Sequence, residues 1–347
     1  MNPTSIQVTV IVPMRNEERR IARCLDSILE NDFDSRRMEI LVVDGCSTDR
    51  SREIAMQRAA VCDSIKVLVN PAKIVSSALN IGIRQARGEV IIIMGAHAEY
   101  SRNYISTCLR ELGATGADVV GGALETRPGG KSRVAKAIAI MSQHRFGVGG
   151  SAFRTSRESG YVDTVPYGAY RRQVFEQVGL FNEQLVRNQD FELNARVRKA
   201  GGKLFLSTNI CAAYYNVTDL RNLLRQAFNN GRWLPAMWLS SPVAMRLRHT
   251  VPALFVTVLG FALVFGFFHK PILVAGLAIL GLYAATAVMA ATLVAREHSG
   301  RLFIPLLSAF FVHHLAYGVG TLAGLFACAR FSSTARLRPQ YSTSSQL

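Results

Sequence analysis

Residues 6 to about 210 alternate short apolar runs with segments whose apolar positions recur every three or four residues. "VTVIVP" is rich in β-branched residues and predicts a strand. Glu17 to Glu30 follows with Ile21, Leu25 and Ile28 on one face of a helix. "EILVVD" predicts a second strand, and "STDRSREIAMQRA" opens with residues suited to an N-cap before continuing as a helix. "IKVLV", a helix around Ser76 to Ala86, and "EVIIIM" complete two further units. The uninterrupted apolar run at Val90–Met94 suits a central strand covered on both faces. This order argues for a mostly parallel α/β sheet with flanking helices.

The pattern changes after about residue 250. The segments 251–268, 271–295 and 303–329 contain no Lys, Arg, Asp or Glu, and each is near the ~20 residues that cross a bilayer. Arg246 and Arg248 precede the first, while Arg296 and Arg301 follow the second. The positive-inside rule puts both flanks on the cytoplasmic side. A third full crossing would then send Arg330, Arg336 and Arg338 outside, which fits that rule poorly. Between the two parts, "DLRNLLRQAFNNGRW" places Leu220, Leu223, Leu224, Ala227 and Phe228 at helical spacing, with Arg221 and Arg225 on other faces. With Trp233 and Trp238 beyond it, this reads as an amphipathic interfacial segment. The expected organisation is an α/β domain over 1–215, an interfacial region over 216–245, membrane helices over 246–330 and a polar tail over 331–347.

Composition sharpens the picture. The chain has 347 residues, is 49% hydrophobic and carries a net charge of +16. A chain both apolar and basic is expected to meet membrane lipids, whose anionic headgroups attract arginine. No nucleic-acid partner is expected, since the basic residues are dispersed and lack interleaved aromatics. Cys24, Cys46, Cys62, Cys108, Cys211 and Cys328 form no CxxC pair, which points to free thiols in a reducing compartment. The opening "MNPTSIQVTVIVP" lacks the features of a secretory signal. The first domain is therefore expected in the cytoplasm, on a multi-pass protein of the cytoplasmic membrane.

In an open α/β sheet, ligands bind beyond the carboxyl ends of the strands. Those ends read "PMRNEE", "DGCSTD" and "GAHAE". No GxGxxG follows the first strand, which counts against a dinucleotide-binding domain. Acids and an asparagine stand there instead. Asp49 is also placed to cap the helix that follows it.

"VTVIVPMRNEERRIARCLDSIL", "EILVVDGCSTDRS" and "VSSALNIGIRQARGEVIIIM" resemble family 2 glycosyltransferases of the GT-A fold. "VDTVPYGAYRRQVFEQVGLFNEQLVRNQDFELNARVRKAGGKLFL" is similar to the membrane-bound branch that builds exopolysaccharides such as succinoglycan. The resemblance covers about residues 6–240. It implies a nucleotide-sugar donor, expected to be UDP-linked, held by Pro13, Asn16, Glu17, Asp44 and Asn80, with Arg15 and Lys73 able to approach the diphosphate. It implies that Asp190 acts as general base in an inverting transfer, with Glu192 as the alternative base. Gly168, Gln189, Arg232 and Trp233 would meet the acceptor, a polyprenyl-linked saccharide or polyprenyl phosphate itself. The Gln-x-x-Arg-Trp motif of processive synthases is only approximated, because five residues separate Gln226 from Arg232.

The resemblance also implies Mg²⁺ or Mn²⁺ at an Asp-x-Asp or Asp-x-His motif. Here Gly95 replaces the first acid and His97 keeps the last position, with Glu99 nearby. A weakened metal site, transfer without metal, and a catalytically silent membrane scaffold that binds nucleotide sugar all remain open at this point.

Overall fold

The computed structural model describes residues 6–332. Nine strands form one sheet: β1 (Val8–Met14), β2 (Met38–Asp44), β3 (Ile65–Val69), β4 (Val90–Ile93), β5 (Ala98–Tyr100), β6 (Val119–Arg127), β7 (Gly160–Tyr161), β8 (Ala169–Arg171) and β9 (Leu204–Tyr215). Their order is β3-β2-β1-β4-β8-β6-β9-β5, with β7 paired to β9. The expected parallel sheet is the half built from the first four strands. There β1 pairs with β2 and β4, and β2 with β3, all parallel. Beyond β4 the sheet is mixed. β8 runs antiparallel to both β4 and β6, while β6 and β9 are parallel. The β-α-β rhythm stops after β4, so nothing beyond it forces a parallel crossover.

β1 and β2 are buried along nearly all their length because both faces are covered. Helix Ile21–Leu29 places Ile21, Cys24, Leu25 and Ile28 against this core, confirming the apolar stripe read from the sequence. Helix Val75–Gln85 packs on β1 so tightly that a methyl at Gly82 would lie 2.6 Å from Ile11. The helix after β2, Ser51–Val61, begins behind Asp49, whose Oδ1 accepts from the Ser51 backbone N–H. Asp49 therefore satisfies the first backbone N–H of that helix from the position before its N-cap, Arg50.

Three helices, Leu247–Phe265, Lys270–His298 and Phe303–Ser332, are long and apolar enough to cross a membrane. The first two form a hairpin: a Cβ on Gly276 would meet Ala262, and Phe255 lies 4.6 Å from Tyr283, centroid to centroid. The amphipathic helix Leu220–Arg232 is capped by Asp219, whose side chain accepts from Asn222 N–H. It lies along the third helix, where Gly231 faces the Tyr317 carbonyl and Gly320 faces the Phe228 carbonyl. Residues 333–347, which include most of the expected polar tail with Arg336 and Arg338, fall outside the described residues.

Candidate active site

Two cavities meet beyond the carboxyl ends of the parallel strands. The first, about 440 Å³, is lined by Pro13 at the end of β1, Arg15 and Glu17 after it, Gly45 after β2, Lys73 after β3, Gly95 and His97 after β4, and Gly168, Gln189 and Asp190. Its volume is in the range of small-ligand sites. Backbone strain gathers around it. The five described non-glycine residues with positive φ are Asn16, Cys46, Lys73, Tyr167 and Asn188. Each lines this cavity or adjoins a residue that does. Such conformations cost about 1–3 kcal/mol apiece and persist where function holds them.

Asp190 sits in the first turn of helix Gln189–Lys199, facing the cavity. It has no ion-pair partner among the described residues. Burial raises its pKa above the ordinary aspartate value, an effect partly offset by backbone N–H groups and Arg154. A carboxylate with a raised pKa is the stronger base. Glu192, two residues on, is not available for that role. It is buried and held bidentately by Arg196 at 2.8 and 2.9 Å, while Arg196 also donates to the carbonyls of Val178 and Leu180.

His97 also faces the cavity, with Nδ1 3.5 Å from Glu17 Oε1 and Nε2 3.3 Å from the Tyr167 hydroxyl. Gly95 beside it is not an empty ligand position. A Cβ there would lie 2.7 Å from Tyr167 Cε1 and 2.9 Å from its hydroxyl. Tyr167 therefore occupies the space that an aspartate would need. Among the described residues no three His, Cys, Asp or Glu side chains converge as a metal site. The donor set, His97 and Glu17, is too small to hold an ion alone but fits one that takes its other ligands from substrate phosphate.

The structure separates the remaining expected residues. Pro13, Glu17, Gly168 and Gln189 come together in the cavity, as do Arg15 and Lys73. Asp44 lies just behind Gly45, fully buried, and does not itself line the cavity. Its Oδ1 accepts from Ser47 N–H and Oγ–H, while Oδ2 is buried with no partner. Asn16 stands on the rim and ties two loops, accepting from Thr48 N–H. Asn80 is a correction: it does not line the cavity. Its side chain accepts from Phe181 N–H and donates to Phe181 O and Glu183 Oε1, which fixes the 181–183 loop to the helix. Arg232 and Trp233 are a second correction. They line neither cavity, because the end of helix Leu220–Arg232 abuts the third apolar helix at Gly324. Gln226 does face the second cavity.

That second cavity, about 570 Å³, lies at the seam between the α/β domain and the apolar helices. It shares Phe153, Arg154, Asn188, Phe191 and Tyr214 with the first. Arg154 and Tyr214 escaped the sequence reading. Arg154 stands in a single helical turn, Ala152–Thr155, without a motif, and Tyr214 is the penultimate residue of the longest strand, where nothing distinguishes it from a core aromatic.

A mixed sheet with a cavity beyond its parallel strand ends, faced by Asp190 and His97, is the arrangement of a GT-A glycosyltransferase. The chain belongs to glycosyl transferase family 2, whose profile, "Glycosyl transferase family 2", matches residues 9–179. It is 31% identical over 236 residues to the dolichyl N-acetyl-α-D-glucosaminyl phosphate 3-β-D-2,3-diacetamido-2,3-dideoxy-β-D-glucuronosyltransferase of Methanococcus voltae, covering 65% of this chain and 71% of that one. To the succinoglycan biosynthesis protein ExoA of Rhizobium meliloti it is 30% identical, over 72% and 75% of the two chains. The fold is similar to that of the mannosyltransferase PcManGT from Pyrobaculum calidifontis in complex with GDP-Man and Mn²⁺, with TM-score 0.59 at 19% identity over 91% and 87% of the chains. S. aureus TarS 1–349 in complex with UDP-GlcNAc shares the fold at TM-score 0.52 and 16% identity, over 90% of each chain.

Proposed function

We propose that the protein is a membrane-anchored inverting hexosyltransferase that moves a sugar from a UDP-linked donor to a polyprenyl-linked saccharide. The observation that carries this is Asp190, an unpaired carboxylate of raised pKa facing a cavity whose other walls offer Arg15, Lys73 and His97. The catalytic domain would work on the cytoplasmic face of the inner membrane. Relatives named for dolichyl-phosphate sugars and for succinoglycan support a lipid-borne acceptor.

In this reading the nucleoside diphosphate lies over Pro13 and Gly45. The orphaned Oδ2 of Asp44 accepts the N–H of the base, and Glu17 reaches toward ribose or metal. Arg15 and Lys73 approach the diphosphate. His97 and Glu17 would hold a Mg²⁺ or Mn²⁺ ion, which when bound offsets the negative charge building on the leaving group. Gly168 and Gln189 border the acceptor, and Gly168 has no side chain to hold it away from the backbone. Asp190 takes the proton from the acceptor hydroxyl as that oxygen attacks the anomeric carbon. The bond to the diphosphate breaks in the same step, its electron pair leaves with the nucleotide, and the anomeric centre inverts.

The test is UDP release by the purified full chain across a panel of UDP-sugars, with lipid extract as acceptor source. Release that Asp190→Asn abolishes supports the reading. An Asp190→Asn variant that releases UDP at the wild-type rate overturns it.

A further inference from the structure

The cavity at the seam joins a basic wall from the α/β domain to an apolar wall from the first apolar helix. Its described lining holds Arg145, Arg154 and Arg248 but no Asp or Glu. Arg248 is engaged with Asp163 at 3.1 Å, and Arg145 is exposed. Among the described residues, Arg154 has no carboxylate within ion-pair distance. Its polar contact is the Thr126 hydroxyl at 3.3 Å, and its guanidinium lies 5.4 and 5.5 Å from the Phe153 and Tyr214 ring centroids. Holding a cation this way costs free energy unless an anion completes the site. Two further groups lack partners: the Nδ1 atoms of His249 and His313 are buried without a hydrogen bond. The opposite wall is Val251, Pro252 and Phe255 of the first apolar helix.

We infer that this cavity takes the phosphate-bearing head of the isoprenyl-linked acceptor, with Arg154 as its phosphate ligand. The inference rests on the function proposed above. It adds where the lipid carrier sits and which residue selects it. Because Arg154 also borders the donor cavity, a bound phosphate there brings the attached acceptor into the space faced by Asp190.

The experiment measures binding to the detergent-purified full chain with UDP saturating the donor cavity. Geranylgeranyl diphosphate, geranylgeraniol and inorganic pyrophosphate are the probes. The isoprenyl diphosphate should bind at least about tenfold tighter than the alcohol, as expected for a charge-assisted contact. Arg154→Gln should erase that difference and Arg154→Lys restore part of it. Equal affinity for diphosphate and alcohol overturns the inference, as does a preference that survives Arg154→Gln. Pyrophosphate binding as tightly as the isoprenyl form would make this a free-phosphate site and also overturns it. Failure of UDP itself to bind would instead sink the transferase reading, so the two failures are distinguishable.

The third apolar helix carries a second inference from different observations. Leu306 and Phe310 share a core with Ala137, Ile138 and Leu223 of the preceding domain and amphipathic helix. Gly320 and Gly324 lie so close to the carbonyls of Phe228 and Arg232 that a Cβ would approach to 2.1 and 2.3 Å. Leu306 and Gly324 are 18 residues apart, about 27 Å of helix at 1.5 Å per residue. Helix Leu220–Arg232 exposes Arg221, Arg225 and Arg232, which are costly to place in hydrocarbon. A bilayer core about 30 Å thick cannot contain that length of helix together with its charged neighbour. We infer that Phe303–Ser332 lies in the plane of the leaflet and that the first two helices alone form the inserted hairpin. This removes the conflict that a third crossing raised with the positive-inside rule.

Ile304, Leu315 and Phe326 are 65%, 37% and 73% exposed and stand eleven residues apart, on one line of the helix. A nitroxide coupled to a keto-amino acid replacing each in turn, in nanodiscs, reports depth through collisions with oxygen and a nickel chelate. Equal, shallow depths at all three are expected. A central label far deeper than the outer two is the signature of a crossing and overturns the inference.

Discussion

Gly95→Ala should destabilise the protein although it adds only a methyl group. That methyl would stand 2.7 Å from Tyr167 Cε1, 2.9 Å from its hydroxyl oxygen and 3.0 Å from Cζ. Comfortable carbon contacts are about 3.5–4.0 Å. The ring cannot move freely. Tyr167 has φ +46°, its carbonyl accepts from the Tyr104 hydroxyl, and its own hydroxyl meets His97. Overpacking of this kind costs about 1–3 kcal/mol, which lowers the melting temperature by about 2–12 °C for a domain of this size. Gly95→Asp should cost at least as much and should not improve Mn²⁺ dependence, since its carboxylate meets the ring. Tyr167→Ala opens the space at its own cost in lost packing. The double variant Gly95→Asp/Tyr167→Ala should therefore be more stable than the sum of its parts, by a coupling of about 0.5–3 kcal/mol. Thermal melts of the four proteins measure this, with Mn²⁺ titrations of UDP release alongside. A Gly95→Ala variant that melts with the wild type, or strict additivity in the double variant, refutes the claim that tyrosine fills the ligand position.

Asp190→Asn should lower turnover by about 10²–10⁴-fold, the usual worth of a general base. The same variant should melt higher than wild type at pH 7. Asp190 has a folded pKa above its unfolded value, so the stability of its protonated form is present at low pH and lost as pH rises through the folded pKa. The gain should vanish below the unfolded aspartate pKa of about 3.9; a variant no more stable at pH 7 would show that the buried charge is compensated. Turnover in the wild type should fall on acidification through a pKa above the ordinary aspartate value, and the pH profile of UDP release reads it. His97→Ala should weaken the response of UDP release to Mn²⁺, and an unchanged Mn²⁺ titration would remove His97 from the metal. Asn80→Ala leaves the Phe181 N–H and C=O unpaired and should cost about 1–3 kcal/mol by denaturant melt, without a change in affinity for UDP.

The parallel half of the sheet was legible because its strands are short runs rich in β-branched residues, separated by segments of helical pattern. β6 to β9 were not, since their pairing depends on long-range register that no local period encodes. The cavity lining was legible where a residue type is unusual at a strand end, as with Glu17 and His97, and at a helix start that the family resemblance singled out, as with Asp190. It misled at Asn80, where a polar residue inside a helix serves a loop a hundred residues away rather than a ligand. It misled again at Arg232 and Trp233, where the motif is present in approximate form but the helix turns it toward other helices. Gly95 reads in sequence as a lost ligand. The tyrosine that fills the space comes from residue 167, and only the folded chain brings the two together.

The wall that the two cavities share also bears on kinetics. Phe153, Arg154, Asn188, Phe191 and Tyr214 line both cavities, at the place where the two meet. In the proposed reaction, a water-borne sugar donor and a lipid-borne acceptor would enter by different mouths, so neither blocks the other's arrival or departure. Such an arrangement favours random order over obligatory order, so that a dead-end acceptor analogue inhibits noncompetitively, rather than uncompetitively, against the donor.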